Sequence, residues 1–288
     1  MRQLRVLRPL EGKGGWTILP IHYSHDPEKT EAWMTEARAS YPHEAFWRRE
    51  MEMDMGEVVG TRAYAPFSRA LHVRPEAEVV YNPMLPLALC CDFNVGFMSW
   101  PVCQEVNGME VVIDEITMEP ADVAGMVREF RNRFPAHPAE LWIYGDASGN
   151  ARSVQSQKSN YDLMRVALKG YSSDLIMRVP PANPPVTTRL NSVCMKLKAP
   201  SGKPGVVISD KCVELIADLE EVLLDPKGHG ELQIRDPQHP YARRTHSSSG
   251  WGYRVVREWP VTDAVQNAQG DTALLRPLRF SDSIPGDL

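Results

Sequence analysis

Two short apolar runs in this chain each end in an aspartate. Leu87–Cys91 (LALCC) is followed by Asp92, and Leu141–Gly145 (LWIYG) is followed by Asp146. Both runs have the length of buried strands, and a carboxylate at the end of such a strand needs solvent, a partner or a metal to offset its desolvation. For either aspartate alone, capping of the following loop is the better interpretation. Their matched placement, about one strand-and-helix unit apart, instead favours two carboxylates that meet and share divalent cations.

The surrounding pattern predicts an α/β fold with a mixed sheet. Three successive strands come first, with Asn107-Gly108 as a hairpin turn, and Pro120 then opens a helix. The predicted strands cover residues 87–92, 97–102, 111–116, 141–144 and 175–179, and later helices cover 187–197, 210–224 and 247–259. Because the first helix provides a crossover, the fourth strand can lie parallel to the first. Asp92 and Asp146 would then stand at neighbouring strand ends, about 4.8 Å apart across the sheet.

Composition is that of a soluble protein, with 43% hydrophobic and 24% charged residues. The chain lacks an apolar run of the ~18 residues needed to cross a bilayer and a hydrophobic secretory segment at its start. Its five cysteines form no C-x-x-C pair. These features predict a reduced, cytoplasmic setting and no membrane partner.

Net charge is −5, which argues against a uniformly basic nucleic-acid binder. The distribution is uneven, because residues 147–213 carry ten Lys and Arg against three acids. A basic region beside an acidic site suits a phosphodiester substrate, since cations contact the backbone and carboxylates hold metals. Charges scattered over a solvated surface are an equal explanation.

The two strand-end aspartates and the segments around them resemble the C-terminal nuclease domain of the large terminase subunit of tailed bacteriophages, which has a ribonuclease-H-like fold. The segments that carry the resemblance are 87–96 (LALCCDFNVG), 111–116 (VVIDEI), 144–152 (YGDASGNAR), 159–163 (SNYDL), 180–190 (PPANPPVTTRL), 218–220 (DLE) and 245–253 (THSSSGWGY). The resemblance implies an endonuclease that cuts concatemeric double-stranded DNA during genome packaging. It also implies Mg²⁺ or Mn²⁺ as cofactor in a two-ion site, and a phage- or prophage-encoded protein in the bacterial cytoplasm. A junction resolvase of the same broad fold is less favoured, because it would not explain residues 16–73.

Those residues, 16–73, are similar to the end of the family's packaging ATPase and its linker. We therefore expect an ATPase remnant and linker in 1–84, a nuclease domain in 85–262 and a loose tail in 263–288. The sequence has no G-x-x-x-x-G-K-[ST] phosphate loop. We expect a chain that does not hydrolyse ATP, as a fragment, a split product or the product of a truncated gene. Its partners would be DNA and, in addition, a portal, a small terminase subunit or an ATPase supplied in trans.

One departure from the family pattern concerns the third acid. The resemblance implies a last helix that opens with His-x-x-Asp; His246 matches, but Ser249 stands at the Asp position. A neutral hydroxyl is a weak ligand, which motivates a second hypothesis, a weakened homologue that binds DNA or a packaging partner without efficient cleavage. Candidate substitutes for the missing ligand are His246 itself, Asp114, Glu115 and Asp218, although a salt bridge to an arginine is the better interpretation of Asp218.

The predicted site therefore has Asp92 and Asp146 as catalytic residues. The predicted metal ligands are Asp92, Asp146, His246, Glu115 and Ser249. Five basic residues are predicted to contact DNA phosphates: Arg152, Lys158, Arg189, Arg243 and Arg244. Each of the first three, taken alone, is better explained as surface charge. Arg243 and Arg244, just before His246, could steady the leaving phosphate or merely solubilise a loop.

Overall fold

The structure is a computed structural model, and it describes part of the chain. The described residues are 10–11, 17–18, 22–40, 47, 51–52, 61–94, 96–151, 158–198, 204–225, 230–232 and 243–261. Arg152, most of residues 42–55 and the predicted tail 263–288 lie outside them. No helix among the described residues is long and apolar enough to cross a membrane.

A seven-stranded mixed sheet forms the centre of the molecule. Its strands are β3 (Val73–Arg74), β4 (Leu87–Cys91), β5 (Met98–Val106), β6 (Met109–Met118), β7 (Leu141–Gly145), β8 (Leu175–Met177) and β9 (Val206–Ser209). They are ordered β3-β9-β6-β5-β4-β7-β8, and β5 runs antiparallel to its two neighbours while the other pairs are parallel. Two further short strands, β1 (Leu10–Glu11) and β2 (Thr17–Ile18), pair with each other.

The β5–β6 hairpin turns at Asn107-Gly108, as predicted. Both residues have positive φ, 53° and 77°, the combination that a type I′ turn requires and that Asn-Gly adopts at low cost. The crossover from β4 to β7 then passes through β5, β6 and a helix. It leaves β4 and β7 parallel, and it pairs Cys91 with Gly145.

Helices cover both faces of the sheet. They are α1 (Glu31–Ser40), α2 (Arg69–His72), α3 (Val123–Arg133), α4 (Asn160–Ala167), α5 (Val186–Lys198), α6 (Val213–Glu221) and α7 (His246–Glu258). Apolar residues of α3 and α4, among them Phe130 and Met164, pack on one face. Those of α5, α6 and α7, among them Leu190 and Trp251, pack on the other. All five residues of β4 are therefore buried.

The predicted α/β class and mixed sheet are confirmed, with two additions. Strand β9 was not predicted, and β3 pairs with it at the sheet edge. Ala63, Tyr64 and Phe67 also belong to the core under α5 and α6. Residues upstream of the boundary predicted at 85 thus contribute to the same hydrophobic core as the sheet. The helix predicted over 210–224 begins later, at Val213 with Cys212 as its N-cap, and the Asp210 carboxylate accepts from the Glu76 amide.

Candidate metal-binding site

Asp92 and Asp146 lie side by side at one edge of the sheet. β4 and β7 are neighbouring parallel strands, and Cys91 pairs with Gly145, so the next residue on each strand is an aspartate. Adjacent strands are about 4.8 Å apart. The approach is close, because a Cβ on Gly145 would lie 2.5 Å from the Cys91 carbonyl oxygen. Glycine at this position allows the two strand ends to meet.

The Asp92 carboxylate is held from two sides. Its Oδ2 accepts a hydrogen bond from Asn94 Nδ2 at 2.8 Å and lies 3.2 Å from His246 Nδ1. The same Nδ1 lies 2.8 Å from Asn94 Nδ2. The Trp100 indole donates to the Asp92 carbonyl at 3.0 Å and fixes the strand end. The side chain keeps 16% of its surface exposed, so a small ion can reach it.

The Asp146 carboxylate is held by the loop that follows β7. Its Oδ1 accepts from the Ser148 amide at 2.5 Å and from Asn183 Nδ2 at 2.7 Å. Asn183 is itself fixed, since its Oδ1 accepts from the Ala147 amide at 2.8 Å. Burial raises the pKa of Asp146, but hydrogen bonds from Asn183, Ser148 and Tyr253 outweigh it and leave the pKa below its ordinary value. Asp146 is therefore ionised at neutral pH.

The start of α7 completes the site. His246, Ser249 and Tyr253 follow one another at spacings of three and four residues, so they share one face of the helix. His246 contacts Asp92. Ser249 is placed between His246 and Tyr253 on that face and is buried. A Cβ on Gly250 would lie 2.9 Å from the Cys90 carbonyl oxygen, so this glycine lets α7 approach β4.

The donor set fits a hard divalent cation. Asn94 donates to Oδ2 of Asp92, and Asn183 and the Ser148 amide donate to Oδ1 of Asp146. The other oxygen of each carboxylate is therefore able to bind an ion. Mg²⁺ is commonly held by one or two carboxylates and keeps several waters. Within the described ranges, no group of three or more His, Cys, Asp or Glu side chains is arranged to hold a metal. The site as described thus offers the two carboxylates of Asp92 and Asp146, and Ser249 supplies no charge.

Glu115, a predicted metal ligand, is engaged elsewhere. It is buried, and its carboxylate accepts from the Ser99 hydroxyl at 2.9 Å and from the amides of Glu214 and Leu215 at 2.8 Å each. It also accepts from the Ser247 hydroxyl. Burial raises its pKa, partly offset by these donors. Glu115 thus satisfies the free amides at the start of α6, and metal binding would require breaking that cap.

Asp114 and Asp218, the other two acids considered as replacements for the missing third ligand, form ion pairs. Asp114 bonds Arg133 at 3.0 Å. Asp218 forms the ion pair with an arginine that its sequence context favours, with Arg244 at 3.5 Å. Its other oxygen accepts from the Ser248 amide at 2.9 Å. The structure therefore gives both acids structural partners away from the Asp92–Asp146 pair.

The structure places two of the predicted DNA-contacting arginines in buried ion pairs. The Arg189 side chain is 7% exposed and pairs with buried Glu231 at 2.8 Å. Arg244, 10% exposed, pairs with Glu214 at 2.8 Å. Both cations are paired with carboxylates and largely buried, so neither is presented as a free charge for a DNA phosphate. The basic stretch 147–213 therefore does not act as one free cationic surface.

Lys158 and Arg243 keep the exposure that a DNA contact requires. Lys158 is exposed next to the N-cap of α4. Arg243 pairs with Glu119 at 3.3 Å and Glu214 at 3.5 Å but stays 46% exposed. It lies 4.2 Å from the centre of the Phe97 ring and precedes His246 by three residues. Arg152 lies outside the described residues. Two basic side chains thus remain as candidates for phosphate contact.

Asn94 and Asn183 are site residues that the sequence reasoning missed. Each amide holds one of the two aspartates. The signal for Asn94 was its position two residues after Asp92, in the run DFN. Asn183 stands 37 residues from Asp146 in a proline-rich segment, and nothing local in the sequence connects the two.

Comparison with known proteins gives a fold likeness. No family model and no curated protein sequence matches the chain. Among solved structures, the large terminase of a thermophilic bacteriophage matches with a TM-score of 0.54 in its complex with ATP-γ-S and 0.53 without a named ligand. Identity is 13%, over 82% of this chain and 54% of the terminase chain. This chain spans about half the length of that protein.

Shorter nuclease structures match less well. The large terminase nuclease of thermophilic phage G20c, with bound magnesium, has a TM-score of 0.44 at 10% identity, over 67% of this chain and 97% of its own. The P22 large terminase nuclease domain has a TM-score of 0.46 at 6% identity, over 73% and 99%. At such identities a likeness speaks for the fold alone. The described residues thus form an α/β protein with a mixed sheet, and its fold is similar to that of about half of the large terminase solved in complex with ATP-γ-S.

Proposed function

We propose that this chain is the nuclease part of a phage terminase. On this proposal it hydrolyses phosphodiester bonds of double-stranded concatemeric DNA during genome packaging, with Mg²⁺ or Mn²⁺ as cofactor. The observation that carries the proposal is the pairing of Cys91 with Gly145, which puts Asp92 and Asp146 next to each other at the ends of parallel strands. The fold shared with the ATP-γ-S-bound large terminase supports it.

Each site residue has a distinct role in this proposal. Asp92 and Asp146 hold the cations, and Asn94 and Asn183 fix the two carboxylates through hydrogen bonds of 2.8 and 2.7 Å. His246 contacts Asp92 and closes the site from the side of α7. Bound divalent ions would supply an activated water and neutralise charge that develops on the scissile phosphate.

Phosphate binding falls to the exposed cations. Lys158 and Arg243 are the candidates, together with Arg152. Because phosphate contacts release counterions, loss of one such cation should weaken DNA binding about equally for all sequences and lower the salt slope by roughly one. At the level of packaging, we extend the proposal to a portal, a small terminase subunit or an ATPase acting in trans.

A second candidate function rests on Ser249. It lies on the α7 face between His246 and Tyr253, where the resemblance implies a third acid, and it is neutral and buried. A site with two carboxylates attracts cations less strongly than one with three. The chain would then bind DNA or packaging partners and cut slowly or not at all.

Plasmid cleavage separates the two functions. Supercoiled plasmid is incubated with pure protein and Mn²⁺ or Mg²⁺, and nicked and linear products are measured. We expect cleavage that Asp92→Asn and Asp146→Asn each abolish, because each removes a charged ligand. Asp174→Asn is the matched control, because Asp174 is exposed and lies at the other end of the strands. It comes just before the first residue of β8, whereas Asp92 and Asp146 follow the last residues of β4 and β7.

The outcomes are distinct. Intact plasmid at high protein concentration, with salt-sensitive DNA binding, favours the weakened homologue. Cleavage that survives both Asp→Asn changes would refute the proposed site. Thermal melting of each variant shows that the fold is retained.

A further inference from the structure

Two buried aromatic side chains donate hydrogen bonds to the main-chain carbonyl groups of the two site aspartates. The Trp100 indole of β5 donates to the Asp92 carbonyl oxygen at 3.0 Å. The Tyr161 hydroxyl, in the first turn of α4, donates to the Asp146 carbonyl oxygen at 2.8 Å. Both aromatic side chains are fully buried. Each strand end is therefore tied to the interior through its backbone as well as through its carboxylate.

Phe93 lies between these two donors. Its ring centre is 5.8 Å from that of Trp100, at an interplanar angle of 82°, and 5.0 Å from that of Tyr161, at 85°. Both are edge-to-face contacts, an arrangement that aromatic pairs prefer. Because Phe93 directly follows Asp92 in the chain, the three rings form an aromatic row that joins the end of β4 to the residue that follows β7.

Two glycines, one on each side of Asp146, leave the space that the aromatic row occupies. A Cβ on Gly145 would lie 2.6 Å from the Tyr161 hydroxyl oxygen. A Cβ on Gly149 would lie 2.5 Å from Phe93 Cε2 and 2.7 Å from Tyr161 Cε2. The Gly149 amide also donates to the Asp146 carbonyl at 3.1 Å, so that oxygen accepts two hydrogen bonds. The local sequence Gly-Asp-Ala-Ser-Gly thus lets Tyr161 reach the backbone of Asp146.

We propose that the aromatic row fixes the distance between the two site aspartates, with Trp100 and Tyr161 as positioning residues and Phe93 as the contact that joins them. Each donor holds the carbonyl group of an aspartate, and the carboxylate projects from that same residue. The asparagines of the site orient the two carboxylates, whereas the aromatic row sets how far apart they stand. This inference rests on the proposed function, because it assigns the row a part in that site's affinity for metal.

The test uses two tyrosines that make the same kind of hydrogen bond. Tyr161→Phe removes the hydroxyl that reaches Asp146 and keeps the ring. Tyr171→Phe is the matched control, because the Tyr171 hydroxyl donates to the Phe134 carbonyl at 2.6 Å and its side chain is buried in the same hydrophobic cluster. Mn²⁺ affinity is measured directly by calorimetric titration without DNA, and the melting temperature and plasmid cleavage are measured alongside.

Loss of an outer hydrogen bond at a metal site commonly costs roughly 10–100-fold in metal affinity. We expect Tyr161→Phe to weaken Mn²⁺ binding about tenfold, the lower end of that range, because its hydroxyl contacts the main chain rather than a carboxylate. Tyr171→Phe should bind Mn²⁺ as the wild type does, even where its melting temperature falls as far. Wild-type affinity in Tyr161→Phe overturns the positioning role. Equal losses of affinity in both variants overturn it too, because they would show a general effect of losing a buried hydroxyl.

Phe93→Leu tests whether the aromatic row acts as one unit. Leucine keeps an apolar side chain beside Trp100 and Tyr161 but removes the ring that contacts both. Residues in contact show non-additive effects when they act together. The double variant with Tyr161→Phe should therefore lose about as much Mn²⁺ affinity as the more affected single variant. Losses that multiply in the double variant would show two independent effects and overturn the joining role of Phe93.

The proposed function can fail separately. If the wild type binds Mn²⁺ in a Tyr161-dependent way but does not cut DNA, the positioning role stands and the nuclease proposal falls. If the wild type cuts DNA and Tyr161→Phe matches it in both assays, the positioning role falls and the nuclease proposal stands. A wild type that neither binds Mn²⁺ nor cuts plasmid overturns both.

Discussion

Asp218 should make the stability of this protein depend on pH, because it is an acid buried beneath the helix that carries half of the site. Its Oδ2 accepts from the Ser248 amide, in the first turn of α7, at 2.9 Å. The N-cap residue of α7, Thr245, makes no side-chain cap. Burial raises the pKa of Asp218 to about 7 from 3.8, although the Ser248 hydrogen bond and the charge of Arg244 lower it, and Glu115 adds to the rise.

The sign of the effect follows from where the proton is held. Between about pH 4 and pH 7 the folded protein keeps Asp218 protonated while the unfolded chain releases the proton. The stabilisation is therefore fully present below pH 4 and is lost as pH rises through about 7. Each pH unit corresponds to about 1.4 kcal/mol, so Asp218 should lower the free energy of unfolding by about 4 kcal/mol across this window.

Asp218→Asn tests this reasoning. Asparagine keeps the volume, can accept from the Ser248 amide and does not titrate. Urea unfolding in metal-free buffer should show the variant gaining about 4 kcal/mol on the wild type between pH 4 and pH 8. Glu115, also buried with a raised pKa, is present in both proteins and cancels in the difference. A difference that stays flat over this range would refute the reasoning.

Three further changes probe the site. Ser249→Asp restores a third negative charge on the α7 face and should raise Mn²⁺ affinity and plasmid cleavage at least tenfold; unchanged values in both assays would contradict our interpretation of Ser249. Gly145→Ala places a Cβ 2.5 Å from the Cys91 carbonyl oxygen and should cost about 1–3 kcal/mol in urea unfolding, and a neutral effect would mean that the strand ends separate easily. Asn183→Ala removes an outer donor of Asp146 and should weaken Mn²⁺ binding about tenfold with little change in melting temperature; a large drop in melting temperature would instead indicate a role in folding.

The strand ends could be predicted because their signal is local. An apolar run followed by an aspartate is visible within six residues, and the right-handed crossover rule then places two such parallel strands together. The Asn-Gly turn was equally readable, since the two residues alone select the turn type. These features needed no knowledge of distant parts of the chain.

The burial and the ion-pair partners of the charged residues could not be predicted in this way. Arg189 is buried because Glu231, 42 residues later, lies beside it. Glu115 is occupied because α6 begins at its carboxylate, about 100 residues along the chain. The sequence around a charged residue does not show whether a distant residue will form an ion pair with it. We therefore expected exposed side chains, and for Arg189 and Arg244 this expectation of exposure was wrong.

The number of divalent cations that the site can bind depends on the negative charge available there. The two carboxylates, Asp92 and Asp146, neutralise one divalent cation, whereas two such cations would leave an excess of positive charge. Nearby Arg189 adds no net positive charge, because its pair with Glu231 is neutral, whereas the start of α7 adds a partial positive charge. On the proposed function, a phosphodiester would bring negative charge that a second ion requires, so full metal loading should depend on DNA. An acid at position 249 would supply one such negative charge from the protein itself, so on the proposed function the neutral Ser249 should make the binding of a second ion depend more strongly on DNA.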